Sequence, residues 1–254
     1  MPNPIRVLCV DVDPDFEDLT ATYLERRNDR FAVETATSPE RGLDVIEERP
    51  PDCVVSDYEM PGMNGIEFLR VVREDRPDLP FILYTGKGSE EVASDAISAG
   101  VTDYLRKQSG THQYAVLANR VSNAVDQARA ERRLREERRR FQLLFERLTQ
   151  PTVEVEYEDD EPIVRRVNPA FEEVFGYEAS EIVGDSLDAY IVPPGGEEGA
   201  SRINRRVQDG GGLESVEVVR RTTEGDREFL LQNAVYDDGS GGFAIYTHVT
   251  GRKP

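Results

Sequence analysis

The chain has 254 residues, enough for one or two domains, and 38 % of them are apolar, which supports packed cores and excludes wholesale disorder. The longest apolar runs, such as Val7-Leu8-Cys9-Val10, fall far short of the ~20 residues that cross a bilayer. A net charge of −19 argues against nucleic acid or an anionic membrane as partner, and with no signal-peptide pattern the expected location is the cytoplasm.

Of the 31 bases only Lys87, Lys107 and Lys253 are lysine. So acidic and lysine-poor a surface fits a high-salt cytoplasm, where charge is screened and solubility must survive. Residues 1–110 carry net −11, residues 111–150 net +4 and residues 151–254 net −12, so two acidic domains flank a basic connector. Cys9 and Cys53 both lie inside apolar runs and read as core thiols. His112 and His248 are too few and too far apart for a zinc site.

The first segment alternates strand and helix. Strands are expected at residues 6–10, 31–35, 53–56, 81–84 and 102–105. Between them, Phe16, Leu19, Thr20, Tyr23 and Leu24 form a helical stripe, and Ile66, Leu69 and Val72 another. Ser38-Pro39-Glu40 and Ser89-Glu90-Glu91 read as helix starts with a serine cap. Repeated βα units imply a parallel sheet covered on both faces.

Residues 111–148 contain neither Gly nor Pro and read as helix. Tyr114, Leu117, Val121, Ala124 and Ala128 repeat 3-4-3-4, as do Leu134, Phe141, Phe145 and Leu148 with Arg138 in the missing seam position. The step from 128 to 134 breaks the register. Residues 129–140 hold seven Arg and three Glu, with Glu131/Arg135 and Glu136/Arg140 at i, i+4, as a solvated signalling helix or short coiled coil would.

Beyond Pro151 the pattern becomes strand-rich. Residues 152–157 and 163–167 flank a polar turn, Asn168-Pro169 starts a short helix, and residues 213–221, 228–236 and 243–249 form three more strands. This describes an α+β domain with an antiparallel sheet.

In a doubly wound sheet, ligands bind outside the carboxyl ends of the strands. Those ends collect Asp11, Asp13, Asp57, Thr85 and Lys107. Clustered carboxylates repel unless a proton or cation holds them, and an oxygen-rich site with few ligands suits Mg²⁺. The hydroxyl and the ammonium could grip a phosphate, and a carboxylate there can accept a phosphoryl group.

Val7-Leu8-Cys9-Val10-Asp11, the string Asp57-x-x-Met60-Pro61-x-Met63-x-Gly65, Tyr84-Thr85-Gly86 and Asp103-Tyr104-Leu105-Arg106-Lys107 resemble a response-regulator receiver domain. The resemblance implies the flavodoxin-like sheet of order 2-1-3-4-5. It implies Asp57 as phosphoacceptor, Asp11 and Asp57 as Mg²⁺ ligands with the Glu59 backbone carbonyl, Thr85 and Lys107 as the phosphate-sensing switch pair and Tyr104 as the switch aromatic, with Thr85 and Tyr104 drawn inward on phosphorylation. The family has a second acid where this chain has Val12, with Asp13 one residue later. That departure puts Mg²⁺ binding, and with it phosphorylation, in question.

Residues 138–252 resemble a PAS domain, through Val167-Asn168-Pro169-Ala170-Phe171-Glu172-Glu173-Val174-Phe175-Gly176-Tyr177, Glu181-Ile182-Val183-Gly184 and the exit string Thr247-His248-Val249-Thr250-Gly251-Arg252-Lys253. Phe171, Phe175, Ile182, Leu187 and Tyr190 are the candidate pocket residues, for a ligand the sequence does not name. No Cys follows Cys53, which excludes cysteine-linked flavin or chromophore chemistry there.

The expected organisation is receiver 1–126, helical linker 127–137 and PAS domain 138–254, in a haloarchaeal phosphorelay protein that is not an enzyme. A histidine kinase is the expected partner, with self-association through the 111–148 helix. Two alternatives stand beside it. One is the sensory half of a histidine kinase without its catalytic part. The other is a phosphate-independent receiver–PAS adaptor.

Overall fold

The computed structural model describes residues 4–86, 90–208 and 215–249, and the chain divides into two compact units after Arg135. The first unit is built on β1 (Ile5–Val10), β2 (Phe31–Ala36), β3 (Cys53–Ser56), β4 (Phe81–Thr85) and β5 (Asp103–Arg106), all parallel, in the order β2-β1-β3-β4-β5. Helices α1 (Pro14–Arg27), α2 (Pro39–Glu48), α3 (Gly65–Asp75) and α4 (Glu90–Ser98) connect the strands. β3 and β4 are buried along their whole length, which is why they read as continuous apolar runs rather than alternations.

Two apolar clusters cover the faces. One gathers Leu8, Val10, Val54, Phe68, Leu69, Phe81 and Leu83, and the other Ile5, Val7, Cys9, Leu24, Cys53, Val55 and Ile82. Both thiols are free and buried, as their apolar settings imply. Ser38 caps α2 by accepting the Arg41 N–H, and Pro39 sits in its first turn. Ser89, Leu213, residues 250–253 and the side chain of Phe16 lie outside the described residues.

Helix α5 (His112–Arg147) runs unbroken across the register step expected between 128 and 134. Its first turns bury Tyr114, Leu117, Val121 and Val125, so Val125 holds the core position that the seam assigned to Ala124. Beyond it, Arg129 binds the Pro4 carbonyl and the Asp52 carboxylate, and Arg135 binds Asp78. The arginine run is therefore partly structural and not only solvated.

The second unit is an antiparallel sheet of order β7-β6-β10-β9-β8. Its strands are β6 (Thr152–Glu158), β7 (Glu161–Val167), β8 (Val216–Thr222), β9 (Gly225–Val235) and β10 (Gly241–His248). Asn168 caps α6 (Pro169–Phe175) through the Phe171 N–H, and its side chain also accepts from Thr152 N, tying the helix start to β6. Three further helices, α7 (Ala179–Ile182), α8 (Leu187–Ile191) and α9 (Glu197–Gln208), complete the layer over the sheet. α7 and α8 are one turn each, too short to carry a periodicity. Phe171, Phe175, Phe229 and Tyr246 form the centre of the core, with Phe171–Phe175 and Phe175–Phe229 ring centroids 4.4 and 5.0 Å apart.

Candidate functional site: a lysine-bridged carboxylate pair at the strand ends

Asp11, Asp57 and Lys107 are each the first residue past a strand, and each still uses its backbone N–H as a strand residue would. Asp11 N donates to Ala36 O, Asp57 N to Val10 O at 2.8 Å, and Lys107 N to Thr85 O at 2.8 Å. The sheet therefore fixes all three backbones and leaves the side chains at its carboxyl rim. There they meet: Lys107 Nζ donates to Asp11 Oδ2 at 2.5 Å and to Asp57 Oδ2 at 2.7 Å. The three side chains are largely buried, so the ion pairs are far less screened than surface ones. The remaining oxygens are also held. Asp57 Oδ1 accepts the Tyr58 N–H at 2.6 Å and Asp11 Oδ1 the Asp13 N–H at 3.1 Å.

The loop after Asp57 is shaped by two local devices. Asn64 and Glu67 form a reciprocal capping box at the start of α3. Gly65 packs so closely that an added Cβ would lie 2.2 Å from the Asp57 carbonyl oxygen and 2.7 Å from Leu83 Cδ1. A side chain at 65 would push against the backbone of Asp57 itself.

Thr85 ends β4 and is buried. Tyr104 lies half-buried on β5, and its hydroxyl is buried with no hydrogen-bond partner. Glu59 is exposed, two residues beyond Asp57. Val12 is 40 % exposed and offers no oxygen from its side chain, while Asp13 is exposed. Among the described residues no group of three His, Cys, Asp or Glu side chains is placed to hold a metal. Two side-chain carboxylates nevertheless match the demand of Mg²⁺, which keeps several waters and takes one or two carboxylates with phosphate oxygens. Asp11 and Asp57 already converge on one cationic group, and the donor set fits the ion.

Tyr84, which spacing did not single out, lines the same corner. The Lys107 ammonium lies 5.9 Å from its ring centroid, and its hydroxyl is 2.5 Å from Gln113 Oε1. Burial pushes the Tyr84 hydroxyl well above the usual tyrosine range. The readable signal was its place beside Thr85 at a strand end.

Of the pocket candidates in the second unit, Phe171, Phe175 and Ile182 are fully buried in the core. Leu187 faces a small internal chamber between the sheet and α8 and α9. Tyr190 sits on α8 with its hydroxyl 2.8 Å from Asp185 Oδ2 and its ring packed edge-on against Tyr177. The chamber's polar walls, Arg220 and Asn233, were missed. The signal for Arg220 was its phase: it continues the inward side of β8 set by Val216 and Val218.

Residues 7–118 match the family described as response regulator receiver domain, and residues 139–248 match the PAS fold. The chain carries a receiver domain and a PAS domain. The receiver region is 36 % identical over 114 residues to the photosynthetic apparatus regulatory protein RegA of Cereibacter sphaeroides, covering 44 % of this chain and 61 % of RegA. It is 29 % identical over 147 residues to the nitrogen assimilation regulatory protein NtrX of Azorhizobium caulinodans, covering 57 % of this chain and 30 % of that protein. Among solved structures, a CheY-like receiver from Methanospirillum hungatei is 28 % identical with a TM-score of 0.46, covering 51 % of this chain and 99 % of its own. The receiver domain is homologous to those of response regulators, and its pairing with a PAS domain is consistent with phosphorelay signalling. Both kinds of domain are typically non-enzymatic signalling modules. No helix among the described residues is long and apolar enough to cross a membrane.

Proposed function

We propose that the chain is a phosphorelay protein whose receiver takes a phosphoryl group on Asp57 from a partner histidine kinase. The observation that carries this reading is the pair of buried carboxylates joined by Lys107 at the end of the sheet. A carboxylate nucleophile needs its partner charge placed beforehand, and Lys107 is already there. Asp57 Oδ attacks phosphorus. The new O–P bond forms as the bond to the kinase imidazole nitrogen breaks, and the imidazole leaves with the electron pair. The Lys107 ammonium pairs with the phosphoryl oxygens and the Thr85 hydroxyl donates to one of them. Asp11, Asp57 and the Glu59 carbonyl would hold Mg²⁺, which supplies charge neutralisation at the transferring group. Exposed Asp13 stands one residue past Val12 as a further carboxylate.

Phosphorylation changes the contacts of Thr85 and Tyr104 and so the face that leads into α5. The signal passes through the linker at residues 127–137 from the receiver, residues 1–126, to the PAS domain, residues 138–254, which acts as sensory or interaction module. The chain itself catalyses no turnover. The acid-rich, lysine-poor composition supports a cytoplasmic protein of a high-salt, haloarchaeal source.

Incubation with a small phosphodonor and Mg²⁺, followed by peptide mapping, is expected to place one adduct on Asp57. Labelling of Asp57→Ala at the level of the unsubstituted protein would overturn the reading.

A further inference from the structure

The first turn of α5 carries a joint between the helix and the Lys107 loop. Gln113 Oε1 accepts the Tyr84 hydroxyl at 2.5 Å and the Gln108 N–H at 2.8 Å. A backbone N–H can only donate, so the oxygen and not the amide nitrogen of Gln113 faces this corner. Tyr84 is 3 % exposed and stands on β4, one residue before Thr85. Gln108 directly follows Lys107. One half-buried side chain on α5 therefore joins the helix both to a strand end and to the peptide beside the lysine that holds Asp11 and Asp57.

The rest of Lys107 has little freedom. Its N–H is fixed on the Thr85 carbonyl at 2.8 Å, and its ammonium lies between the two carboxylates, 5.9 Å from the Tyr84 ring centroid. A phosphoryl group on Asp57 adds negative charge and sets its oxygens one P–O bond beyond the carboxylate, so the ammonium follows them outward. With the Lys107 N–H held by β4, the shift is taken up on its other side, in the peptide that presents the Gln108 N–H. The next helix residue, Tyr114, is anchored elsewhere. Its ring stacks on Tyr23 of α1 with centroids 4.6 Å and planes 2° apart, and its hydroxyl bonds to Thr20. Neighbouring residues on a helix point about 100° apart, so Gln113 can be released while Tyr114 stays in place.

We propose that Gln113 is a positioning residue that acts through Lys107. Its bond to the Gln108 N–H holds the lysine loop on α5 while Asp57 is a free carboxylate, and is given up when Lys107 follows the phosphoryl group. The state of Asp57 thereby reaches the first turn of α5 on the Tyr84 side, separately from Thr85 and Tyr104. The first N–H groups of a helix have no intrahelical partner, so a first turn that loses its side-chain tie frays before the rest. Leu117, Val121 and Val125 remain in the core and keep the following turns closed. The proposal rests on the reading of Asp57 as phosphoacceptor, and its experiment reads labelling and coupling apart.

The test is hydrogen exchange of the full chain with and without acetyl phosphate and Mg²⁺, alongside peptide mapping of the label. Once Asp57 is labelled, exchange at residues 108–113 is expected to rise about fivefold, the factor that one net hydrogen bond represents. Residues 118–125 of the same helix stay unchanged and serve as internal reference. In Gln113→Met, similar in length but without the acceptor, Asp57 is expected to label as before, with exchange at 108–113 already raised and no further response. Gln113→Glu keeps an acceptor for both donors and is expected to restore the response. Should Gln113→Met fail to fold, Gln113→Ala, which removes the same oxygen and favours helix, is read in its place. Labelling of Asp57 without a change at 108–113, or a full response in Gln113→Met, would overturn the coupling and leave Asp57 as phosphoacceptor. An equal rise at 118–125 in Gln113→Met, or a Gln113→Glu chain that behaves like it, would assign Gln113 to packing alone and overturn the proposal. Absence of label in the unsubstituted protein would overturn both readings.

Discussion

Lys107 Nζ lies 2.7 Å from Asp57 Oδ2, joining the end of β5 to the end of β3. The same nitrogen holds Asp11, so one ammonium is shared by two buried carboxylates and the cluster keeps one net negative charge. Removing one partner of such a cluster is costly, because the charges left behind stay desolvated. Lys107→Met is expected to lose about 3–5 kcal/mol of stability in the absence of divalent cations. Mg²⁺ should then raise its melting temperature more than that of the unsubstituted protein. Thermal unfolding with and without Mg²⁺ checks both statements, and equal Mg²⁺ responses would contradict the second.

Gly65 admits the Asp57 carbonyl where a Cβ would stand. Gly65→Ala must shift backbone, not a flexible side-chain end. A loss of about 1–3 kcal/mol is expected, the scale of an overpacked core. Because the displaced atom belongs to Asp57, labelling at Asp57 should fall as well. Chemical denaturation and phosphodonor labelling of one preparation read the two effects. Intact labelling with lowered stability would separate packing from the site.

Val12 stands beside Asp11 and is 40 % exposed, so a carboxylate at this position has room at the rim. Val12→Asp is expected to tighten Mg²⁺ binding by about 1–3 kcal/mol, the scale of one charge-assisted contact. Titration at fixed high ionic strength, by calorimetry or Tyr58 fluorescence, measures it. Equal affinity would show that Asp13 already serves the ion.

Asp188 provides a pH dependence. Burial pushes its carboxyl above the usual carboxylate range, against the opposing effects of the Asn204 hydrogen bond and the Arg220 charge. An acid with a raised folded-state pKa binds its proton more tightly in the folded chain. The resulting destabilisation is fully present above the folded pKa and vanishes below the unfolded value of about 4. Asp188→Asn is therefore expected to unfold at higher denaturant concentration at neutral pH. The gain should shrink as the pH falls through that window. A gain independent of pH would point to packing instead.

Leu134, Phe141 and Leu144 of α5, with Leu148 just past its end, are exposed on a 7-3-4 spacing, whereas Phe145, which the sequence placed in the seam, is buried, so Leu144 takes its place. Self-association through this helix is expected, and Arg133→Pro should abolish it by breaking the helix. Light scattering that finds a monomer in both proteins would refute the coiled-coil reading.

Periodicity along the chain reported what is local. The buried strands β1, β3 and β4, the amphipathic α2 and α3, the Ser38 and Asn168 caps and the Asp57 loop are each decided by side chains within a few residues. Their physics is complete at that range, so the two-domain organisation and the rim acids could be read directly. Helices α7 and α8 could not, because one turn has no period, and their place is set by packing against the second sheet. The absence of Gly and Pro made a helix over 111–148 legible, but the cause of its phase step was equally hidden. An apolar stripe changes phase when its partner surface ends, and at 129 and 135 the partners become Pro4, Asp52 and Asp78, which only the folded receiver brings to the helix. The same holds at both sites. Lys107 reaches an acid 96 positions away, and Arg220 shares a chamber with residues from α8, α9 and β9. A strand-end lysine and an inward-phased arginine are visible as residues, but the charges they meet depend on which strands and helices lie side by side, and that is decided by the packing of the whole domain.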